Sequence, residues 1–148
     1  MKSITATRHH DFSCGHRIVG HEGKCRFLHG HNYRVHFTAQ AGQLDNLGRV
    51  VDFSAIKNTL CQWLEDNWDH KFVMWAEDPL QGHMNKFRAD GGIDLGIVLV
   101  PFNPTAENMG LYLMEHVAPM IFNSPDLKLI RVDVEETRKC FATIADMD

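Results

Sequence analysis

Three histidines, His16, His29 and His31, surround a lone Cys25 in the stretches Phe12-Ser-Cys-Gly-His16-Arg and Lys24-Cys25-Arg-Phe-Leu-His29-Gly-His31-Asn-Tyr33. Three neutral imidazoles with no obvious fourth ligand describe a catalytic zinc site. A structural zinc is closed by four protein ligands, whereas a catalytic one keeps a position open for water or substrate. A thiol beside such a site, not needed as a ligand, is a candidate base or nucleophile. The alternative Cys25-x3-His29-x-His31 makes Cys25 a ligand of a structural zinc, which then needs one more. A third reading is polar surface histidines, since the chain has ten His. His-x-His alone is a weak signal, and the set with His16 and Cys25 is stronger. Cys14, Cys61 and Cys140 read as packed or inert thiols.

Further candidates lie downstream. Asp69-His70 pairs a carboxylate with an imidazole, a combination that fixes a tautomer and supports proton transfer. Adjacent residues rarely bond each other directly, so one of the two is expected to use another partner. A solvated helix end explains the pair equally well. Glu135 and Glu136 are adjacent on an expected strand, so one faces inward. An inward carboxylate at a pocket can accept two N–H bonds from an amidine-like heterocycle edge. Glu107 falls in the first turn of a helix, where the dipole alone favours it.

The elements that position these residues read as follows. Residues 3–14 form a first strand. Residues 31–41 alternate, with Tyr33, Val35, Phe37 and Ala39 on one face and Asn32, Arg34, His36 and Thr38 on the other. If the strand already begins at His29, then His29 and His31 leave from one face. Residues 42–48 are a turn region. Asp52 caps a helix over 53–66 with Phe53, Ile56, Leu60, Trp63 and Leu64 as its apolar stripe. Residues 77–96, rich in Gly and Asp, read as a long loop, and residues 97–102 as a short strand. Thr105 caps a second helix over 105–122, with Ala106, Met109, Leu113, Val117 and Met120 inward. Residues 127–135 and 139–145 close the chain as strands. The order predicts an α+β fold with antiparallel pairing.

The chain has 148 residues, 44% apolar and 23% charged, with a formal net charge of −4. These values fit a single globular domain over 1–148. The acidic balance argues against nucleic-acid partners. No apolar run reaches the length of a membrane span, and the N-terminus lacks a signal-peptide core. Four dispersed cysteines without a Cys-x-x-Cys pair fit a cytoplasmic protein with reduced thiols.

Taken together, the residues resemble the 6-pyruvoyltetrahydropterin synthase and 6-carboxytetrahydropterin synthase family. The likeness runs through Phe12-x3-His16-Arg17, Cys25-x3-His29-Gly-His31-Asn-Tyr and Gly48-x-Val-Val-Asp52-Phe53. It continues through Asp69-His70-Lys71, Asn103-Pro-Thr-Ala-Glu107-Asn108 and Val134-x-Glu136-Thr137. The resemblance implies Zn2+ on His16, His29 and His31, with Cys25, Asp69 and His70 as the catalytic set. It implies a pterin anchored by Glu136, with Thr105 and Glu107 as further substrate-binding residues. The fold implied is the tunnelling fold: an antiparallel, four-stranded-type sheet with two helices on one face, assembling into barrels. The implied assembly is a homohexamer, a dimer of trimers, with active sites at subunit interfaces, so that Asp69 and His70 serve a neighbour's zinc. The implied substrate is 7,8-dihydroneopterin triphosphate; Arg17, Lys24, Lys86 and Arg88 are candidates for its triphosphate.

The short Cys25-x3-His29 spacing resembles the carboxy enzymes of the queuosine and 7-deazaguanine route, which release acetaldehyde and triphosphate. Pyruvoyl synthesis and a non-catalytic metal-binding role are the alternatives. A zinc hydrolase lacks its usual carboxylate base here. Cys14-Gly15, where the family usually has residues such as Ala or Ser, and the long 77–96 segment depart from the family pattern.

Overall fold

The computed structural model describes residues 2–92 and 94–147, with the backbone alone for 88–91. Six strands form one sheet: β1 (Thr5–His16), β2 (His29–Ala41), β3 (Phe72–Trp75), β4 (Ile97–Val100), β5 (Leu127–Glu135) and β6 (Phe141–Ala145). Their order is β4-β3-β1-β2-β5-β6. β1–β2, β2–β5 and β5–β6 pair antiparallel, while β1–β3 and β3–β4 are parallel. The four-stranded antiparallel expectation is therefore corrected to a six-stranded mixed sheet. α+β holds as the broad class.

The parallel pair arises from the segment expected to be a loop. Between β3 and β4 the chain forms a helix, Gln81–Gly91, so this stretch is a strand–helix–strand crossover. Parallel neighbours need a connection of about a dozen residues or more, and this segment supplies it. Met74 of β3 is 1% exposed and lies beside Met84, Leu95 and Leu99. The crossover helix thus covers part of the sheet face opposite the main core.

The two other helices match the sequence reading. One runs over 53–67, as Phe53–Ile56, a π-helical turn Lys57–Cys61, and Gln62–Asn67. The other runs over 106–121, as Ala106–Tyr112, a π-helical turn Leu113–Val117, and Ala118–Ile121. Both N-caps act as expected: Asp52 accepts from Ser54 N–H at 2.9 Å and Thr105 from Asn108 N–H at 3.1 Å. Their stripes explain the wide turns. Ile56-Leu60-Leu64 and Met109-Leu113-Val117 recur every four residues, which drifts about 40° per step on a regular α-helix. A π turn takes up that drift and keeps the stripe on the sheet. Phe53 and Met120, expected inward, are exposed at the helix ends.

Tyr33, Val35, Phe37 and Ala39 of β2 are buried against these stripes, as the alternation requires. The first strand extends two residues beyond its expected end, to His16, and β2 begins at His29 rather than residue 31. Those shifts bring the histidines into the sheet.

Asp78, just before the crossover helix, is buried and accepts from Arg17 Nε at 2.7 Å and Nη2 at 2.5 Å. It also accepts from Leu80 N–H at 2.8 Å, so it fastens the helix start to the end of β1. The Arg17 guanidinium, and then the Leu80 N–H, hold its carboxyl below the ordinary 3.8. The folded state binds this proton less readily than the unfolded chain. The stabilisation is therefore present above about pH 4 and is lost as pH falls through the folded value. Asp78→Asn is expected to cost about 3 kcal/mol at neutral pH by leaving Arg17 half-paired. Urea melts across pH should show that gap closing below about pH 4; a gap constant with pH would contradict this.

Candidate metal centre and substrate pocket

His16 pairs with His29 and Cys14 with His31 across the β1–β2 ladder. Side chains opposite one another share a face, so His16, His29 and His31 meet at the end of the hairpin where the 17–28 connection joins the two strands. One ring nitrogen from each lies within 4.8 Å of the others. His16 Nδ1 donates to the Pro104 carbonyl at 2.8 Å and His29 Nδ1 to the Phe27 carbonyl at 2.7 Å. Those bonds fix both tautomers and turn the two Nε2 lone pairs inward. The two Nε2 atoms stand 3.1 Å apart, an arrangement that calls for a cation between them. His31 Nε2 is buried with no hydrogen-bond partner. The donor set therefore fits a metal ion, and imidazoles suit zinc and several other divalent ions.

Burial pushes the His16 pKa down to about 4, against the opposing Pro104 bond. Burial lowers His31 as well, with Glu136 opposing. Both rings are thus neutral near pH 7, the form that binds metal.

Glu136 follows β5, and its Oε1 lies 3.5 Å from His16 Nε2 and 3.7 Å from His31 Nε2. It also lines a cavity of about 390 Å³ with Ala106, Glu107, Cys140, Phe141 and Thr143. The expected inward carboxylate is thus beside the imidazoles, and Glu107 shares its cavity. The Thr105 hydroxyl is engaged as the helix cap instead.

Cys25 lies half-buried in the short turn Lys24–Arg26. Its carbonyl accepts from Ile18 N–H at 2.8 Å, two residues past His16. Its sulfur is not among the clustered ligand atoms. Cys14 and Cys61 are buried, and burial pushes the Cys14 thiol up to about 12, so Cys14 is inert. Cys140 is exposed, so of the two expected states, packed or inert, packing does not apply to it.

Asp69 and His70 do bond each other, contrary to expectation: Asp69 Oδ2 accepts from His70 Nδ1 at 2.8 Å. The reason is the left-handed backbone at His70, φ 59°, which turns the imidazole back over its neighbour. Asp69 Oδ1 also accepts from Ser13 N–H at 3.0 Å. The pair lines a groove of about 580 Å³ with Asp11, Ser13, Asn32 and Arg34. Those side chains leave the face opposite His16 and His31. The His70 side chain is 83% exposed. The structure thus groups Glu136 with the imidazoles, while His70 also lines a second cavity of about 660 Å³ together with His29 and His31.

Arg17, expected among the triphosphate candidates, is engaged by Asp78. Lys24 and Lys86 are exposed, and the Arg88 side chain lies outside the described residues. Sequence reasoning missed Tyr33, whose buried hydroxyl lies 3.2 Å from His16 Nδ1. It missed Asn103, whose amide exchanges two 3.0 Å hydrogen bonds with the Val19 backbone. It also missed the Pro104 carbonyl. A buried Tyr two residues after His31 was a readable signal; a backbone carbonyl carries none.

The profile described as 6-pyruvoyl tetrahydropterin synthase matches residues 5–146. A Rickettsia typhi protein named 6-carboxy-5,6,7,8-tetrahydropterin synthase is 36% identical over 141 residues, covering 95% of this chain and 99% of its own. A Rickettsia bellii protein of the same name is 35% identical over the same shares. Among solved structures, an uncharacterized Wolinella succinogenes protein superposes with a TM-score of 0.82 at 22% identity, covering 99% of both chains. Caenorhabditis elegans 6-pyruvoyl tetrahydropterin synthase gives 0.68 at 24% identity, covering 99% of this chain and 97% of its own.

Proposed function

This chain belongs to the 6-pyruvoyl tetrahydropterin synthase family, and we propose that it is a zinc-dependent carbon–carbon lyase of the 6-carboxytetrahydropterin type. The reaction takes 7,8-dihydroneopterin triphosphate and water to 6-carboxy-5,6,7,8-tetrahydropterin, acetaldehyde and triphosphate. The observation that carries this reading is the convergence of three imidazoles beside a cavity that holds Glu136 and Glu107. The names of the Rickettsia relatives support the carboxy product.

Bound zinc would supply Lewis-acid polarisation of the substrate's side-chain hydroxyls. His16, His29 and His31 would hold it, with Pro104 and Phe27 carbonyls orienting two of the rings. Glu136 would accept two N–H bonds from the pterin's amidine edge and so fix the ring. Cys25, on its tethered turn, would take a proton from the substrate side chain. Asp69 would orient His70, and the exposed His70 imidazole would return protons to a substrate on a neighbouring subunit. The 83% exposure of the His70 side chain supports that shared site, as do the open edges at β4 and β6, where Leu99 and Phe141 are exposed. The assembly proposed is a homohexamer of two trimers; sedimentation should give about six times the 16.9 kDa protomer, and a stable monomer would refute it. A cytoplasmic location accords with the absence, among the described residues, of a helix long and apolar enough to cross a membrane.

The test is incubation of the zinc-loaded protein with 7,8-dihydroneopterin triphosphate and identification of products by mass spectrometry. The expected product is carboxytetrahydropterin with one acetaldehyde per turnover. A pyruvoyl product without acetaldehyde would reassign the chain to the other synthase, and no product would refute the catalytic reading.

A further inference from the structure

Glu136 faces two ways. On one side its Oε1 stands 3.5 Å from His16 Nε2 and 3.7 Å from His31 Nε2. On the other it lines the cavity with Glu107 and Cys140. Two ligands of one tetrahedral zinc stand about 3.3–3.5 Å apart, given ordinary Zn–N and Zn–O lengths. The carboxylate thus stands at that spacing from His16 and about 0.2 Å beyond it from His31, within a small side-chain adjustment of a fourth ligand's place. One of the nitrogens it faces, His31 Nε2, is buried and has no hydrogen bond. The Glu136 N–H is tied to the Cys140 carbonyl at 3.1 Å, so the backbone is held and only side-chain torsions separate the two directions.

We propose that Glu136 is a displaceable fourth ligand: it closes the shell of an ion on His16, His29 and His31 while the cavity is empty, and turns away when a ring with adjacent N–H donors enters. A carboxylate whose two oxygens accept a bidentate pair of N–H bonds has given up its best lone pairs to that ring. The open coordination position then appears only once the ring is seated. Diols and phosphate esters that lack the ring meet a closed ion, which adds selectivity to the centre. The identity of the ring rests on the pterin reading; the ligation does not.

The test compares Co2+-loaded wild type with Glu136→Gln, a neutral near-isostere. The probe is unsubstituted pterin, which carries the ring edge and no side chain to reach the metal. Wild type is expected to bind Co2+ at least about tenfold more tightly than the variant. Their visible spectra should differ, and pterin should move the wild-type spectrum toward the variant's. Equal Co2+ affinity and identical spectra would overturn the ligation. A wild-type spectrum unmoved by pterin that fluorescence quenching shows to be bound would overturn the displacement, because Glu136 would then be a permanent ligand. If pterin does not quench at all, the pterin reading fails and the displacement with it, while the Co2+ comparison still decides ligation.

Discussion

Cys25→Ala is expected to leave the metal in place and to lower turnover by about 10²- to 10⁴-fold, the span typical of a lost general base. The thiol sits on the Lys24–Arg26 turn, and the Ile18–Cys25 backbone bond holds that turn to the chain just past His16. Removing one sulfur from a half-buried position leaves that bond and the β1–β2 ladder intact. Since the sulfur lies outside the clustered nitrogens, metal content by elemental analysis should match the wild type. Zinc lost together with activity would make Cys25 a ligand instead, and the proton-transfer role proposed for it would fall.

His31→Ala is expected to show the opposite signature. One of three ligands disappears, so metal affinity should drop by at least about 100-fold. Turnover should fall by about 10³-fold, roughly 4 kcal/mol of lost barrier reduction. The fold should survive, because His31 Nε2 makes no hydrogen bond whose loss would strand a partner. Thermal melts of the metal-free proteins should therefore nearly coincide, while zinc should raise the midpoint of wild type alone. Equal stabilisation of both proteins by zinc would move the metal site elsewhere.

Much of this arrangement is legible in the order of the residues alone. The alternation from Tyr33 to Ala39 announces β2 and its buried face, and Asp52 and Thr105 announce both long helices. His-x-His on a strand announces that two nitrogens share a face. The crossover helix Gln81–Gly91 is not legible, because glycines at 82, 91 and 92 and few apolar positions hide a helical period. With that helix hidden, the parallel pairing of β3 and β4 is hidden too. Glu136 is readable as an inward carboxylate, yet its approach to His16 and His31 depends on the β2–β5 register, which no local pattern encodes. The direct Asp69–His70 bond is hidden for a different reason. It needs a left-handed backbone at a non-glycine residue, and ordinary residues adopt that conformation seldom. The Arg17–Asp78 pair joins residues 61 positions apart, so Arg17 reads as a free cation.

On the proposed function, the His16–His29–His31 centre makes this protein a metal-dependent lyase. Acetaldehyde release from 7,8-dihydroneopterin triphosphate, measured on chelated protein before and after adding back zinc, tests it most directly. Almost no acetaldehyde is expected from the chelated protein, with recovery on adding one equivalent of zinc per protomer. Undiminished release from protein shown to be metal-free would contradict it.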